Sequence, residues 1–351
     1  MSYISRPKAV HPKLPRNDLG LTVRDYEGGM STLCAGCGHD SITGAIVRAA
    51  FELSIPPHRM AKLSGIGCSS KTPAYFLSES HGFNSVHGRM PSVATGANAA
   101  DGELIYVGVS GDGDTLSIGL GQFFHAVRRN VNMLYLIENN GVYGLTKGQF
   151  SASADVGSTA KKGEENLQPP IDPCLSVIAM GGSFVARSFS GDKEQLVPLL
   201  KAGLKHNGFA LIDIISPCVT FNDHEGSTKS YEFTRQHYHP AIFADYVPPS
   251  AEIRALYEEG EAMPVKMHDG SQIVLRKVDP NYDPTDAASA FSFLERHQEV
   301  GEIVTGLLYI DERKPEMHAV NRVINEPLRL RDYQKLCPGQ AALQSLQDRF
   351  R

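Results

Sequence analysis

The sequence predicts an α/β domain built on a doubly wound parallel sheet, with a C-terminal extension. Three observations support this prediction. Unbroken apolar runs such as "IYVGV" at 105–109 are typical of strands that are buried on both faces of a sheet. Helix-like segments alternate with these runs between residues 31 and about 220, as in successive βαβ units. After about residue 222 the composition shifts to mixed polar and aromatic residues, which marks the end of the alternation.

The elements are predicted in order along the chain. Residues 1–30 are rich in Pro, Gly and charge and predict an arm that lies on a surface or a partner. The main domain is predicted over 31–240, and 241–351 form an extension that packs on this domain or on a partner subunit. Within the main domain the patterns predict helices at 41–53, 115–129 and 193–207, and strands at 60–63, 103–109, 131–137, 183–189 and 209–215.

The bulk composition excludes several classes of protein. The chain has 351 residues, 41% of them hydrophobic, and a net charge of −5, which argues against a nucleic-acid-binding surface. No apolar run approaches the roughly 18–20 residues that span a bilayer, and the N-terminal stretch lacks the apolar segment of a secretory signal. The six cysteines lack the dense spacing of a secreted disulfide scaffold. We therefore expect a cytoplasmic protein with reduced thiols and no membrane or nucleic-acid partner.

Four glycine-rich or polar turns each follow a predicted strand. The carboxyl ends of parallel strands meet at one edge of a sheet, where ligands bind. We therefore expect these turns to face one crevice. They are "GIGCSS" at 65–70, "GDGD" at 111–114, "ENNGVYG" at 138–144 and "PC" at 217–218.

Two of these turns together predict a magnesium and diphosphate site. Asp112 offers a carboxylate and Asn140 an amide oxygen. With a backbone carbonyl and phosphate oxygens they make the hard-oxygen environment that Mg²⁺ prefers. The amides of Gly113 and Asp114 open the following helix and can bind a phosphate there. Either motif alone is a common turn signal, and their succession in one βαβ unit favours the ligand site.

The cysteine pair in "LCAGCGHD" at 33–40 leaves three interpretations open. It suits half of a metal site, a redox-active dithiol or two packed thiols. No second CxxC pair occurs, and the other four cysteines are single. Zinc with four thiolates is one alternative, although zinc sites usually show two close pairs. Cys174 and Cys337 match no role.

Several motifs resemble one known family. "GDG" followed after 25 residues by "NN" resembles the diphosphate motif of thiamine diphosphate enzymes. The words "CAGCGHDSI", "GIGCSS", "HGRMPSVATGAN", "NGVYGLTKGQ" and "ISPC" resemble the β-subunit of 2-oxoacid:ferredoxin oxidoreductases. The resemblance covers about residues 31–240, with weaker likeness in "GLLYID" and "LCPGQAAL".

The resemblance implies a thiamine diphosphate-binding fold with Mg²⁺ and one [4Fe-4S] cluster. The implied Mg²⁺ ligands are Asp112, the Asn140 side chain and the Val142 carbonyl. Four thiolates commonly hold a [4Fe-4S] cluster, and the implied ligands are Cys34, Cys37, Cys68 and Cys218. The residues implied to lie against thiamine diphosphate are Ile66, Gly67, Cys68, Ser69, His87, Gly113, Asp114, Gly144 and Leu145.

The implied reaction is the coenzyme A-dependent oxidative decarboxylation of a 2-oxoacid to an acyl-CoA and CO₂, or its reverse, with electrons passing through the cluster to ferredoxin. Lys71 and His87 are the candidate catalytic residues. Lys71 favours 2-oxoglutarate, because its ammonium can pair with the distal carboxylate of a dicarboxylic acid. The alternative is that Lys71 faces a phosphate or the solvent. Pyruvate has no distal carboxylate and would need no cation at this position.

The resemblance also implies a partner subunit that is needed for activity. In this family the glutamate that activates thiamine diphosphate comes from an α-subunit, so we expect a hetero-oligomer, with two αβ units and no activity of this chain alone. Alternatives are the β-subunit of a pyruvate:ferredoxin oxidoreductase, a non-redox thiamine diphosphate enzyme with a structural metal, and a metal-stabilised interaction subunit.

Overall fold

A computed structural model of the chain describes residues 11–158, 163–221, 253–266 and 272–351. In these residues nine strands form one sheet and two short strands form a separate hairpin. The strands are β1 Met60–Ser64, β2 His81–Asn84, β3 Ile105–Gly111, β4 Met133–Asn139, β5 Val142–Tyr143, β6 Gln149–Phe150, β7 Phe184–Phe189, β8 Phe209–Ile215, β9 Ala262–Lys266, β10 Gln272–Lys277 and β11 Glu302–Ile310.

Helices cover most of the connections between the strands. The α-helices are α1 His39–Glu52, α2 Met90–Ala100, α3 Leu120–Arg129, α4 Pro173–Ala179, α5 Lys193–Lys205, α6 Ala287–Glu299, α7 Met317–Asn321, α8 Tyr333–Leu336 and α9 Gln340–Asp348. Short 3₁₀ turns cover Val23–Tyr26, Pro57–Arg59, Ser69–Ala74 and Leu328–Leu330, and a π-helix covers Gly113–Ile118. Of the helices in the described residues, none is both long and apolar enough to cross a membrane.

The sheet is mostly parallel, in the order β2-β1-β3-β4-β8-β7-β11-β10-β9. Every pair from β2 to β7 is parallel. Strand β11 pairs antiparallel with β7 and parallel with β10, and β9 closes the far edge as an antiparallel strand. The predicted parallel α/β sheet is confirmed.

The C-terminal residues extend this sheet, because β9, β10 and β11 all come from the predicted extension. The boundaries of the three predicted units stay predictions. Residues 1–10 of the arm and the boundary near residue 240 lie outside the described residues.

Both faces of the sheet are covered, and the alternation of side chains along β4 shows this division. Met133, Tyr135 and Ile137 belong to one core, which also contains buried side chains of α2, α3, α4 and α6. Leu134 and Leu136 point to the other core, where α1 and α5 pack. A strand that buries both faces needs a continuous apolar run, and this is why the sequence shows one.

The segment after β3 differs from its prediction. A single helix over 115–129 was expected, but a π-helix runs from Gly113 to Ile118 and α3 begins only at Leu120. The break coincides with a close backbone approach, since a Cβ on Gly119 would lie 2.8 Å from the Asp114 carbonyl and 3.0 Å from the Gly88 Cα. Wide π-turns are rare in helices and frequently occur at functional sites.

Lys62 is a buried lysine in the middle of β1. Its ammonium donates to the Phe76 and Leu77 carbonyls at 2.5 and 3.0 Å, so it anchors the segment that follows the 3₁₀ turn Ser69–Ala74. Burial lowers the pKa of Lys62 from 10.5 to about 8, because the charged form loses hydration.

Because of Lys62, the free energy of unfolding is expected to increase as the pH rises from about 8 toward 10.5. In this window the folded chain has released the Lys62 proton, whereas the unfolded chain still holds it. The free energy of unfolding therefore rises, by up to about 3 kcal/mol for a shift of this size. Urea unfolding of the wild type and of Lys62→Met, at several pH values between about 7.5 and 10, measures how the free energy of unfolding depends on pH. Parallel pH curves for the two proteins would contradict the prediction.

Candidate functional site

The four predicted turns lie at one edge of the sheet. Strands β1, β3, β4 and β8 are consecutive neighbours and all parallel, so the turns that follow them meet at the carboxyl edge. This confirms the topological prediction from the sequence. The 3₁₀ turn after β1, the π-helix after β3 and the hairpin β5–β6 after β4 all line this edge.

Asp114, at the start of the π-helix, binds the turn after β1, the end of β3 and the loop before α2. Its Oδ2 accepts from the Ile66 amide and the Ser110 hydroxyl, both at 3.1 Å, and its Oδ1 accepts from the Gly88 amide at 2.8 Å. The Asp114 carboxylate is buried and occupied by these donors. It thus holds the turn after β1 against the loop that carries His87, which was expected to contact the cofactor.

Asp112 is the buried carboxylate at the centre of the edge, with 1% of its surface exposed. Its Oδ2 accepts from the Ser153 hydroxyl at 2.6 Å and from the Ser151 hydroxyl. Its Oδ1 lies 3.4 Å from the Asn140 amide nitrogen, which donates to it. Burial raises the pKa of Asp112, and these hydrogen bonds oppose the rise.

The three implied magnesium ligands lie together in this arrangement. Asn140 is joined to Asp112 through its backbone amide, and its own side-chain oxygen accepts from the Val142 amide at 3.1 Å. A carboxylate, an amide oxygen and a backbone carbonyl form a donor set that fits Mg²⁺. The set contains only one carboxylate and no His or Cys, so its residues fit a hard cation such as Mg²⁺ better than zinc, copper or nickel.

An arginine with two carboxylate partners, largely removed from solvent, lies next to this edge. The Arg187 guanidinium donates to Asp213 at 2.8 Å and to both oxygens of Asp172 at 2.7 Å. Asp213 in turn accepts from the Asn139 side chain at 3.0 Å, and the Asn139 oxygen accepts from Ser153 at 3.1 Å. Arg187 is therefore linked through hydrogen bonds to the hydroxyl that contacts Asp112.

Three glycines lie where a side chain would meet atoms of a neighbouring turn. An added Cβ on Gly65 would lie 2.2 Å from the Ser110 hydroxyl, and one on Gly113 would lie 2.6 Å from the Tyr143 ring. The Tyr143 hydroxyl donates to the Gly113 carbonyl at 2.6 Å. On Gly144 the Cβ would meet two sulfur atoms, at 3.4 Å from Cys68 and 3.6 Å from Cys218.

Cys68 and Cys218 therefore border the same small space beside Gly144. Cys34 is exposed, and its sulfur lies 3.0 Å from the Thr220 hydroxyl, two residues after Cys218. Cys37 is buried in the same loop, with its amide donating to the Cys34 carbonyl at 3.3 Å. The structure thus brings all four implied cluster ligands to one end of the sheet.

All six cysteines are free thiols in the structure. Burial raises the pKa of Cys37, Cys68 and Cys218, so binding a metal there releases protons. Within the described ranges, no three His, Cys, Asp or Glu side chains converge closely enough to hold a single metal ion. Cys174 is buried in α4 and Cys337 is exposed after α8.

The remaining predicted residues surround the same turns. Ser69 is buried, and Ile66, Gly67 and Lys71 are partly buried. His87 is exposed in the loop before α2, and Leu145 is half exposed in the turn of the β5–β6 hairpin. These placements leave their proposed roles as predictions.

Sequence comparisons identify the family. Residues 65–214 match the family described as thiamine pyrophosphate enzyme, C-terminal TPP binding domain. A 2-oxoacid:ferredoxin oxidoreductase subunit beta from Sulfolobus sp is 41% identical over 191 residues, which are 54% of this chain and 63% of that protein. The 2-oxoglutarate synthase subunit KorB from Methanocaldococcus jannaschii is 37% identical over 191 residues, which are 54% of this chain and 69% of that protein. The chain belongs to the family of 2-oxoacid:ferredoxin oxidoreductase β-subunits.

A solved member of this family of oxidoreductases has the same fold. It is described as 2-oxoglutarate:ferredoxin oxidoreductase from Magnetococcus marinus with 2-oxoglutarate, coenzyme A and succinyl-CoA bound. It is 30% identical, with a TM-score of 0.69, and the match covers 92% of this chain and 96% of that chain. The chain spans 63% of the length of the Sulfolobus protein. Along this chain, the likeness to the solved structure covers 92% of the residues, against 54% for that sequence match.

Several residues of this β-subunit were missed by sequence reasoning. Ser151 and Ser153, which contact Asp112, follow the β5–β6 hairpin, and hydroxyls in a polar loop gave no distinct signal. The charge of Arg187 interrupts the strand pattern "SFVARSF", which is the signal that was available. A cavity of about 630 Å³ opens beside these residues, between the carboxyl edge and the wall formed by α6, β10 and β11.

Proposed function

We propose that this chain is the β-subunit of a 2-oxoacid:ferredoxin oxidoreductase that holds thiamine diphosphate through Mg²⁺. The observation that carries the proposal is the hydrogen bonding of Asn140 with Asp112 and of Val142 with Asn140 at the carboxyl edge, within the segment that matches the thiamine diphosphate-binding family. Asp112 and Asn140 would hold the metal with the Val142 carbonyl. Gly113 would present its amide to the diphosphate at the start of the π-helix.

Thiamine diphosphate supplies the electron sink for decarboxylation of a 2-oxoacid. The chain's own contribution is to position it. Asp114 keeps the turns after β1 and before α2 at a fixed separation, and Asp112 is oriented by two serine hydroxyls. The absence of a side chain at Gly144 leaves space between the cofactor loops and the sulfurs of Cys68 and Cys218.

A [4Fe-4S] cluster bound by Cys34, Cys37, Cys68 and Cys218 is the second part of the proposal. The shared border of Cys68 and Cys218 supports it, as does the contact of Cys34 with the loop after Cys218. Cys68 lies in the turn implied to contact thiamine diphosphate, so it would hold a cluster, which would supply one-electron acceptor chemistry, next to that cofactor. The four cysteines lie around the turns implied to contact the cofactor, and this arrangement favours an iron–sulfur cluster over a structural zinc ion.

The proposed reaction needs partners. An α-subunit would supply the activating glutamate, two αβ units would assemble, and ferredoxin and coenzyme A would complete the cycle in the cytoplasm. The favoured substrate is 2-oxoglutarate. Two of the proteins to which the chain is similar support this choice, because one is named 2-oxoglutarate synthase and the other was solved with 2-oxoglutarate, coenzyme A and succinyl-CoA.

Anaerobic co-expression with the α-subunit is the experiment that tests the proposal. We expect a brown complex with a broad absorbance at about 400 nm, typical of iron–sulfur clusters, that bleaches with dithionite. It should release thiamine diphosphate on denaturation and reduce ferredoxin with 2-oxoglutarate and coenzyme A. Cys218→Ser should lose the colour, whereas Cys174→Ala, which replaces a buried thiol outside the proposed ligand set, should keep it. A colourless complex with zinc would overturn the redox assignment.

Lys71→Met is expected to raise the KM for 2-oxoglutarate by about 10–100-fold, the cost of one charge-assisted hydrogen bond. Lys71 lies three residues after Cys68 in the 3₁₀ turn, and its charge acts on the Cys68 thiol. The KM for pyruvate should change little, and Lys71→Arg should restore most of the affinity for 2-oxoglutarate. Steady-state kinetics of the complex measures both acids. Equal changes for both acids would remove Lys71 from substrate selection.

A further inference from the structure

Four buried polar side chains connect the three loops that carry the proposed cluster ligands. His39 begins α1 two residues after Cys37. Thr72 lies in the 3₁₀ turn that follows Cys68, and Ser216 precedes Cys218 by two residues. Glu138, near the end of β4, lies among them. The proposed binding of thiamine diphosphate, Mg²⁺ and the cluster uses none of these four side chains.

The contacts between these side chains form two hydrogen-bonded groups, Thr72 with Glu138 and His39 with Ser216, joined by a longer polar contact. The Thr72 hydroxyl donates to both oxygens of Glu138, at 2.9 and 3.0 Å. Glu138 Oε2 lies 3.6 Å from His39 Nδ1, which is 2.7 Å from the Ser216 hydroxyl. Ser216 in turn donates to the Cys37 carbonyl at 2.8 Å. The chain of contacts therefore ends on the backbone of a proposed ligand.

The direction of these hydrogen bonds fixes the histidine. Ser216 has one hydroxyl proton, and it goes to the Cys37 carbonyl. Ser216 must then accept from His39, so the proton of the imidazole lies on Nδ1. The protons of His39 Nδ1, Ser216 and Thr72 thus each have a buried acceptor, and buried hydrogen bonds of this kind hold their partners in one geometry. All four side chains are 2% exposed or less.

Gly38 allows the cysteine loop to lie against this network. Its φ is +85°, and a Cβ there would lie 2.4 Å from the Ser190 hydroxyl and 2.9 Å from the Ser216 hydroxyl. Any other residue would push the Cys37 loop away from Ser216. The close approach is therefore a built feature of the loop and independent of the hydrogen bonds.

We propose that Thr72, Glu138, His39 and Ser216 are positioning residues that fix the relative placement of the Cys34–Cys37, Cys68 and Cys218 loops for cluster binding. The inference rests on the proposed function, since it needs these cysteines to be the ligands. Residues that orient metal ligands without touching the metal typically cost about 10–100-fold in affinity when they are replaced. The network would act in this way through the backbone of each loop.

Ser216→Ala tests the proposal, because it removes one hydroxyl from the network. Ser183→Ala is the matched control: Ser183 is equally buried, contacts His206 Nε2 at 2.8 Å and donates to Asn130 at 2.6 Å, but it precedes β7 at the opposite edge of the sheet. The complex of each variant with the α-subunit is purified anaerobically. Iron and sulfide content, the EPR spectrum of the reduced cluster and the rate of iron loss to a chelator are then measured.

We expect Ser216→Ala to lose iron to the chelator at least about tenfold faster than wild type and to show a changed EPR spectrum. Ser183→Ala should match wild type in both measurements. If Ser216→Ala fails to fold, Thr72→Val and Thr72→Ser form a second pair, since only the serine keeps the hydroxyl that Glu138 accepts. The valine variant should lose iron faster and the serine variant should not.

Two negative results have different meanings. A wild-type complex that holds no iron would overturn the proposed function together with this inference. A wild-type complex with a normal cluster, in which Ser216→Ala and Thr72→Val behave like Ser183→Ala, would overturn the positioning role alone. Unequal thermal stability without any change in iron loss or EPR spectrum would likewise count against the positioning role.

Discussion

Asp112→Asn is expected to weaken the binding of Mg²⁺ and thiamine diphosphate by more than about 100-fold, because loss of a ligand costs more than the roughly 10–100-fold that loss of an orienting partner costs. The substitution keeps the size of the side chain, and one amide oxygen remains to accept from Ser151 or Ser153. What is lost is the negative charge that Mg²⁺ requires at this buried position.

Titration with Mn²⁺ followed by EPR measures the metal affinity of the Asp112→Asn complex, and calorimetry measures that of thiamine diphosphate. Asp155→Asn is the control, since Asp155 lies on the wall of the same cavity but is exposed. Its affinities should stay within about twofold of wild type, as expected for a screened surface charge. Similar losses in the two variants would indicate a general electrostatic effect and count against Asp112 as a metal ligand.

Arg187→Met is expected to destabilise the fold by about 3–5 kcal/mol, because it leaves two buried carboxylates without their cation. Arg187 contacts both Asp172 and Asp213, and all three side chains are largely removed from solvent. The free energy of unfolding in urea measures the loss. The effect should also reach the site, because Asp213 orients Asn139 and Asn139 orients Ser153.

The matched control for Arg187→Met is Arg276→Met. Arg276 also pairs with a carboxylate through two hydrogen bonds, to Glu302 at 2.7 and 3.1 Å, but it is partly exposed. Its loss should cost about 1 kcal/mol or less. The double variant Arg187→Met with Asp213→Asn should recover part of the stability, since one uncompensated charge is removed. Equal losses at the two arginines would show that burial of the Arg187 pair is unimportant.

The part of the site that could be predicted depends on local pattern and sheet topology. Asp112 and Asn140 each follow an apolar strand, and the parallel arrangement of β3 and β4 is enough to bring them together. The same reasoning placed Cys68 and Cys218 at one edge. The family resemblance supplied Val142, because a backbone carbonyl carries no signal in the residue type.

The part that could not be predicted depends on contacts between residues far apart in sequence. His39 meets Ser216 across 177 positions, and Thr72 meets Glu138 across 66, with no motif joining either pair. The π-helix after β3 ends where Gly88 and Gly119 approach each other closely, which is a tertiary contact. Strand β11 pairs antiparallel with β7, although the two strands are not consecutive in the sequence. The hydrophobic periodicity of each strand does not reveal which strand it pairs with or in which register.

The position of β11 also bears on how the chain is made. Strand β7 lies between β8 and β11, so its outer edge stays open until residues 302–310 have left the ribosome. A strand edge with unpaired amide and carbonyl groups is a template for pairing with other chains. The nascent half-sheet therefore passes through an aggregation-prone state late in synthesis, and its cysteine loops are by then already present. Protection of that edge by chaperones would have to last until β11 completes the sheet.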